Sequence, residues 1–492
     1  MWWLSARDPG LFGGVQDIEG SESFMYYHSR EQGMNRPSWS LSACAKINRS
    51  AVSEDKPTVV FTTVIPRPGG DITLPDATME HLIFQTVSQG AGIWIEGATM
   101  VLDSSPATGK LIRKCYDFIE KNEEHFLGAR SCAPVAVLYS RQCGDHYAVD
   151  PAEESDWTTT REVGGKEGKN IYLSSFHGIG ELLLRNQVPF DIILDKDLDA
   201  GKLSRYRTLV LENSPCLSDE QCRAIREYVS GGGSLWAAYE TSLYDELGRK
   251  RDGFGLADVF GVDIDKEAGF QRRAVDWSTG NVTKEEFVKI ETSGRIQEKA
   301  GWTIYFDRKH PVFSGVRNQG KEGITYFAPY SVVGLKLTPP AKVLGDWRDE
   351  LKTPAVVANE FGKGRCLYFS GSIGSMFYLR QHAELKRLTG NGIGWLSRGR
   401  MPVIVKSPSD TVEVTVSKKG DSFIVHLVNY SFGCDRPVDK VFPVEGLTVV
   451  LKDGEMRKKK KAKLLMAGKT LRVKNGVIQI PRLGIYEGIV LT

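Results

Sequence analysis

The stretch LSRYRTLVLENSPCLSDEQCRAIREYVSGGGSLWAAYETSLYD (203–245) constrains this chain more than any other. TLVLEN (208–213) is an apolar run of the kind shown by a strand buried on both faces. Ser218 and Gln221 have capping-box spacing. Cys222, Ile225 and Val229 then repeat at helical intervals up to the break at Gly231-Gly232-Gly233. SLWAAY (234–239) is the next apolar strand. Strand, helix and strand joined this closely predict a right-handed parallel crossover. The fold class is α/β, and the flanks attach to that sheet.

At 492 residues the chain has room for two to four domains with proper cores. Its 64 Lys+Arg against 61 Asp+Glu leave a net charge of +3, which argues against a nucleic-acid or membrane-surface partner. No apolar run reaches the roughly 18–20 residues of a membrane span. The eight cysteines are scattered, without a C-x-x-C pair or a zinc-spaced His cluster, so buried reduced thiols are expected and no metal or other cofactor. The opening MWWLSARDPGLFGG lacks the basic and apolar regions of a signal peptide and reads like the inside of a domain.

Within residues 1–130, GGVQDIEG (13–20) reads as a strand ending at Glu19, TVVFTTVI (58–65) as a β-branched strand, and IWIEG (93–97) as a third, ending at Glu96. Met79, Leu82, Ile83 and Val87 share a helical face between the last two, and 107–124 reads as another amphipathic helix. That rhythm fits part of a (β/α) barrel, whose closed form needs eight units. From Pro134 the pattern restarts. VAVLYS (135–140), helix 175–187, FDIILD (190–195), TLVLEN and SLWAAY imply a doubly wound, flavodoxin-like sheet. Residues 262–340 read as an irregular insertion, and the FGKG turn in 353–371 as a hairpin. After Arg400, alternation of period two predicts an antiparallel β-sandwich with a turn at Asn475-Gly476. The RKKKKAK run (457–463) reads as a solvated loop between its strands.

The phrases VPFDII, LSRYR, CLSDEQ and ETSLYDE, set between VAVLYS and LADVFGV, resemble the β-galactosidase trimerisation domain, a class I glutamine-amidotransferase-like module. The likeness covers roughly residues 134–400. More loosely, 1–130 resembles the last portion of the glycoside hydrolase barrel that precedes that module, through DIEGSES, TVVFTTVI and GIWIEGA. Resemblance thus implies three parts: the C-terminal part of a (β/α)8 barrel over 1–130, the α/β module over 131–400, and a sandwich over 401–492. It further implies that the front of the barrel is absent, that export depends on residues upstream, and that the chain self-associates as a trimer. The activity implied is cleavage of O-glycosidic bonds in an oligosaccharide or glycoside. The alternative is a non-catalytic carbohydrate-binding or assembly protein.

An amidotransferase triad would need a cysteine on a strand-to-helix elbow. SLWAAY instead runs into Glu240-Thr241-Ser242; Cys216 follows another strand and Cys222 lies on the inner face of a helix. The module is therefore expected to be structural. Glycoside hydrolysis needs two carboxylates about 5–10 Å apart, placed in a barrel at the C-terminal ends of strands. Glu19 and Glu96 are the candidates, with Glu22 and Asp103 in the loops behind them. Ending a strand on a carboxylate is common, and a solvated acid is the plainer account of each. If TVVFTTVI is the seventh strand, where many such enzymes keep the nucleophile, no acid follows before Asp71. Trp94, Tyr27 and His28 are candidates for lining a sugar site, although buried barrel packing is the plainer account of Trp94 and a polar loop position that of His28.

Overall fold

The computed structural model describes residues 17–22, 38–65, 73–97, 106–147, 171–265, 270–271, 275–276, 281–282, 302–306, 309–317, 323–326, 332–347, 353–432 and 438–492. They form two compact units. One joins residues 1–134 and 187–192 to 400–492; the other comprises 135–186 and 193–399.

The first unit opens with three parallel strands, β1 (Glu19–Glu22), β2 (Thr58–Thr63) and β3 (Gly92–Glu96), side by side in that order. A helix follows each: α1 (Ser40–Ala51), α2 (Asp76–Val87) and α3 (Pro106–Phe126). Period-two alternation turns Ser21, Thr58, Val60, Thr62 and Ile93 to the helix side, where all but Ser21 are buried. There Ser21 Oγ donates to Asn48 Oδ1 (2.8 Å), and Asn48 Nδ2 donates to the carbonyl of Val59 (3.0 Å), tying α1 down. Tyr116 does the same for α3, donating to the carbonyl of Ile93 at 2.7 Å. The expected strand over 13–20 is corrected: β1 begins at Glu19. Glu-Gly-Ser-Glu has little strand propensity of its own, and pairing with the β-branched β2 is what extends it.

The second unit holds all of a nine-stranded sheet except the first three residues of its edge strand Phe190–Leu194, which fall in the first unit. The strands of this sheet are β5 (Val135–Tyr139), β6 (Phe190–Leu194), β7 (Thr208–Glu212), β8 (Ser234–Ala238), β9 (Trp302–Phe306), β10 (Gly323–Tyr326), β11 (Lys342–Trp347), β12 (Thr353–Phe361) and β13 (Gly364–Phe369); β4 is the short strand Arg130–Ser131. The order is β10-β9-β11-β12-β13-β8-β7-β5-β6. Strands β5, β7, β8 and β13 run parallel, and β6 lies on the far side of β5 from β7, so the winding reverses at β5 as in doubly wound sheets. Helices α4 (Ile171–Arg185), α5 (Asp219–Ser230), α6 (Ile373–Arg380) and α7 (Ala383–Leu396) accompany it. The capping box holds: Ser218 Oγ accepts from Gln221 N (3.1 Å) and Gln221 Oε1 accepts from Ser218 N (2.8 Å). The inward residues Cys222, Ile225 and Val229 are buried.

The sandwich completes the first unit. One sheet holds β14 (Val403–Lys406), β17 (Val444–Leu451) and β20 (Val477–Leu483). The other runs β19 (Lys469–Arg472), β18 (Lys461–Leu464), β21 (Tyr486–Leu491), β16 (Ser422–Asn429), β15 (Val412–Lys419), β4. Valine, leucine and isoleucine from both inner faces make its core. Asn475 (φ 52°) and Gly476 (φ 74°) both adopt the left-handed region, as a type I′ turn requires. The basic run departs from expectation, since its second half is strand β18.

Helix α1 is joined to the second sheet through a buried polar cluster. Glu413 accepts from Ser42 Oγ (2.6 Å) and Tyr430 Oη (2.7 Å), and Lys46 Nζ lies 3.7 Å from it. The same ammonium donates to Gln89 Oε1 and to the carbonyl of Phe190, both at 2.8 Å.

Candidate functional site

The face of β1–β3 turned away from the helices carries Val59, Phe61, Trp94 and Glu96. Trp94 is 65% exposed, which corrects the expectation of buried packing. Its ring meets Phe61 edge-to-face at 5.3 Å, so one side is propped while the rest stays open to a ligand. Glu96 ends β3 on the same face, half-buried, level with Thr63. Its main-chain carbonyl accepts from Val64 N (3.0 Å), which fixes the backbone where β2 and β3 finish.

Glu19 is elsewhere. It pairs with Thr58 at the N-terminal end of β1, is buried on the helix side, and stands five register positions below Glu96 and two strands away. At about 3.3 Å per residue and 4.8 Å per strand, that separates the two Cα atoms by roughly 19 Å. Glu19 and Glu96 are therefore not brought together. Glu22, expected in a loop, is instead the last residue of β1, level with Phe61 and Trp94. Its place was missed because the strand was read three residues early. Tyr27, His28, Asp71 and Asp103 lie outside the described residues.

In the second unit the thiols are poorly set for nucleophilic chemistry. Burial raises Cys222 to about 11, pushes Cys143 well above the ordinary thiol range, and does the same to Cys366. Cys216 is fully buried, its backbone N–H donating to Cys143 Sγ (3.3 Å). The seven described cysteines are thiols, not disulfides. After β8 the sharp turn is made by Tyr239, at φ 54°, and Glu240 behind it accepts from Tyr147 Oη at 2.6 Å. Glu212, ending β7, is buried and raised to about 7 by burial, although Trp236 Nε1 (2.7 Å), Ser372 Oγ (3.0 Å) and Gly374 N (2.8 Å) all donate to it. Among the described residues no cluster of three or more His, Cys, Asp or Glu side chains could hold a metal ion, and no helix is long and apolar enough to cross a membrane.

No protein-family model matches the sequence, and no curated protein matches it. Solved structures do match by fold. Gan42B, a GH42 β-galactosidase of G. stearothermophilus, superposes with a TM-score of 0.63 at 16% identity, over 98% of this chain and 60% of its own. A β-galactosidase from Bacillus circulans sp. alkalophilus gives 0.64 at 17% identity, over 99% and 62%. α-L-Fucosidase isoenzyme 2 from Paenibacillus thiaminolyticus gives 0.63 at 15% identity, over 92% and 62%. The chain thus has the fold of GH42 β-galactosidases along nearly its whole length and spans about three-fifths of theirs.

Proposed function

We propose that this chain is a glycoside-hydrolase-related protein acting on a glycoside or oligosaccharide, with its sugar site at the C-terminal ends of β1–β3. What carries the reading is the exposed indole of Trp94 two residues before Glu96 on one open sheet face, in a chain whose fold is that of sugar-cleaving enzymes. A flat ring offers the apolar side of a pyranose a stacking surface, and a carboxylate beside it can accept sugar hydroxyls or serve the bond-breaking step. The partner carboxylate is Glu22. Its Cα lies two strands and two register positions from that of Glu96, on the order of 12 Å. The second unit, with its buried thiols, is the non-catalytic oligomerisation module of this reading, as its sequence resemblance implies.

The remote position of Glu19 favours a second reading, a carbohydrate-binding or assembly protein without turnover, if Glu22 does not serve. Nitrophenyl β-galactosides and α-fucosides separate the two. The enzyme reading expects release of nitrophenol, abolished in Glu96→Gln and Glu22→Gln and retained in Glu19→Gln. Sugar binding without turnover in the parent chain would establish the second reading. Absence of both would remove the site.

A further inference from the structure

We infer that the edge hairpin β18–β19 is a docking surface for an acidic polysaccharide, a chain bearing uronate or sulfate groups. That occupant goes beyond the proposed function in location and rests on it for the choice of a sugar polymer. The segment RKKKKAKLLMAGKTLRVK (457–474) holds nine lysines and arginines and no acid. Eight of the nine are exposed, Lys459 being half-buried, and none makes an ion pair among the described residues. The nearest acid in sequence, Glu455, is bound to Lys418 at 2.5 Å. Glu487 is also spoken for: buried under the hairpin tip, it accepts from Met466 N (2.8 Å) and Ala467 N (3.1 Å).

The register sharpens the charge. Ala462 and Leu464 of β18 face the sandwich core, so Lys461 and Lys463 share the opposite face, about 6.6 Å apart along the strand. Lys461 stands directly opposite Arg472 of β19. Like charges in directly opposed positions destabilise an antiparallel pair, and an anion between them reverses the sign. A single lysine on an edge strand would suffice to block edge-to-edge association. A continuous one-signed face with two cations in register exceeds that need.

The chemistry of the patch narrows the polyanion. Residues 456–485 contain no Phe, Tyr or Trp, so there is no platform on which unstacked bases could lie, as single-strand binders require. Met466 is the one exposed large hydrophobic at the tip, too little to insert into a bilayer. Regularly spaced ammonium groups along a strand instead match charges repeated along an extended glycan.

The test uses the full chain in titrations with polygalacturonate, heparin, a 20-base-pair DNA duplex and phosphatidylserine vesicles at two salt concentrations. The expected result is polysaccharide binding that weakens at least tenfold with added salt and at least tenfold in Lys461→Ser/Lys463→Ser/Arg472→Ser. An equal-sized control, Lys56→Ser/Lys110→Ser/Lys202→Ser, should bind as the parent does, and unchanged melting would exclude misfolding. No polysaccharide binding, binding unaffected by the hairpin substitutions, or tighter binding of DNA or vesicles would each overturn the proposal. Nitrophenyl glycoside turnover, measured on the same variants, should not change, so failure here is distinguishable from failure of the glycosidase reading.

Discussion

Gly178 of α4 and Gly374 of α6 meet backbone to backbone: a Cβ on Gly178 would run into the carbonyl of Gly374, and one on Gly374 into that of Ser175. Hydroxyl pairs flank the crossing, Ser174 with Ser375 at 3.1 Å and Ser175 with Ser372 at 2.7 Å. Gly178→Ala has no room to relax and should destabilise the second unit by about 1–3 kcal/mol. Gly109→Ala, on a helical turn with nothing within 4 Å of the new methyl, should stabilise by roughly 0.5–1 kcal/mol. Urea unfolding followed by tryptophan fluorescence reads both, with opposite shifts in midpoint.

Burial holds His81 and His426 at about 3, against an ordinary 6.5. Gln85 bonds the ring of the first and Tyr486 that of the second, both at 2.8 Å. Because the folded state favours the neutral rings, their contribution is complete above pH 6.5 and is lost as pH falls from 6.5 towards 3. The melting temperature of the first unit should therefore drop steadily below pH 6.5. In His426→Gln that drop should be shallower; an unchanged slope would show that His426 is not held neutral.

Lys46 and Glu413 are buried together, and each is satisfied by neutral partners as well as by the other. Removing one charge leaves its partner uncompensated, so Lys46→Met should cost about 3–5 kcal/mol. Glu413→Leu should cost a comparable amount, and the double variant clearly less than the two losses together. Strict additivity in that cycle would show that the pair is not coupled.

Trp94→Ala should weaken binding of methyl β-galactoside or lactose by about tenfold, near 1.4 kcal/mol. Stability should move by no more than about 0.5 kcal/mol, since the ring is mostly solvent-exposed. Calorimetric titration beside a thermal melt separates the two effects.

Much of the architecture was legible in the chain wherever local chemistry and packing agree. The capping box at Ser218, the buried runs of β7 and β8, the Gly362-Lys363 hairpin turn and the Asn475-Gly476 turn stand where their residues imply. β1 was misread because EGSE has no strand signature. The alternation Lys461-Ala462-Lys463-Leu464 was a readable strand signal hidden by the density of lysine around it. The cluster at Glu413 could not have been read at all, since Ser42 and Glu413 are 371 positions apart in the chain.

The sequence alone determined most of the segments that would be strand or helix, β1 and β18 apart, and that the middle of the chain would hold a parallel α/β sheet. Periodicity, caps and turn residues act over a few positions, and there neighbours in sequence are neighbours in space. Only the tertiary structure decided which acids share a face. Parallel register sets Glu19 and Glu96 at opposite ends and on opposite sides of the sheet, yet puts Glu22 level with Trp94. A side chain's face flips with every one-residue change in where a strand begins, and it is pairing with another strand that fixes that beginning.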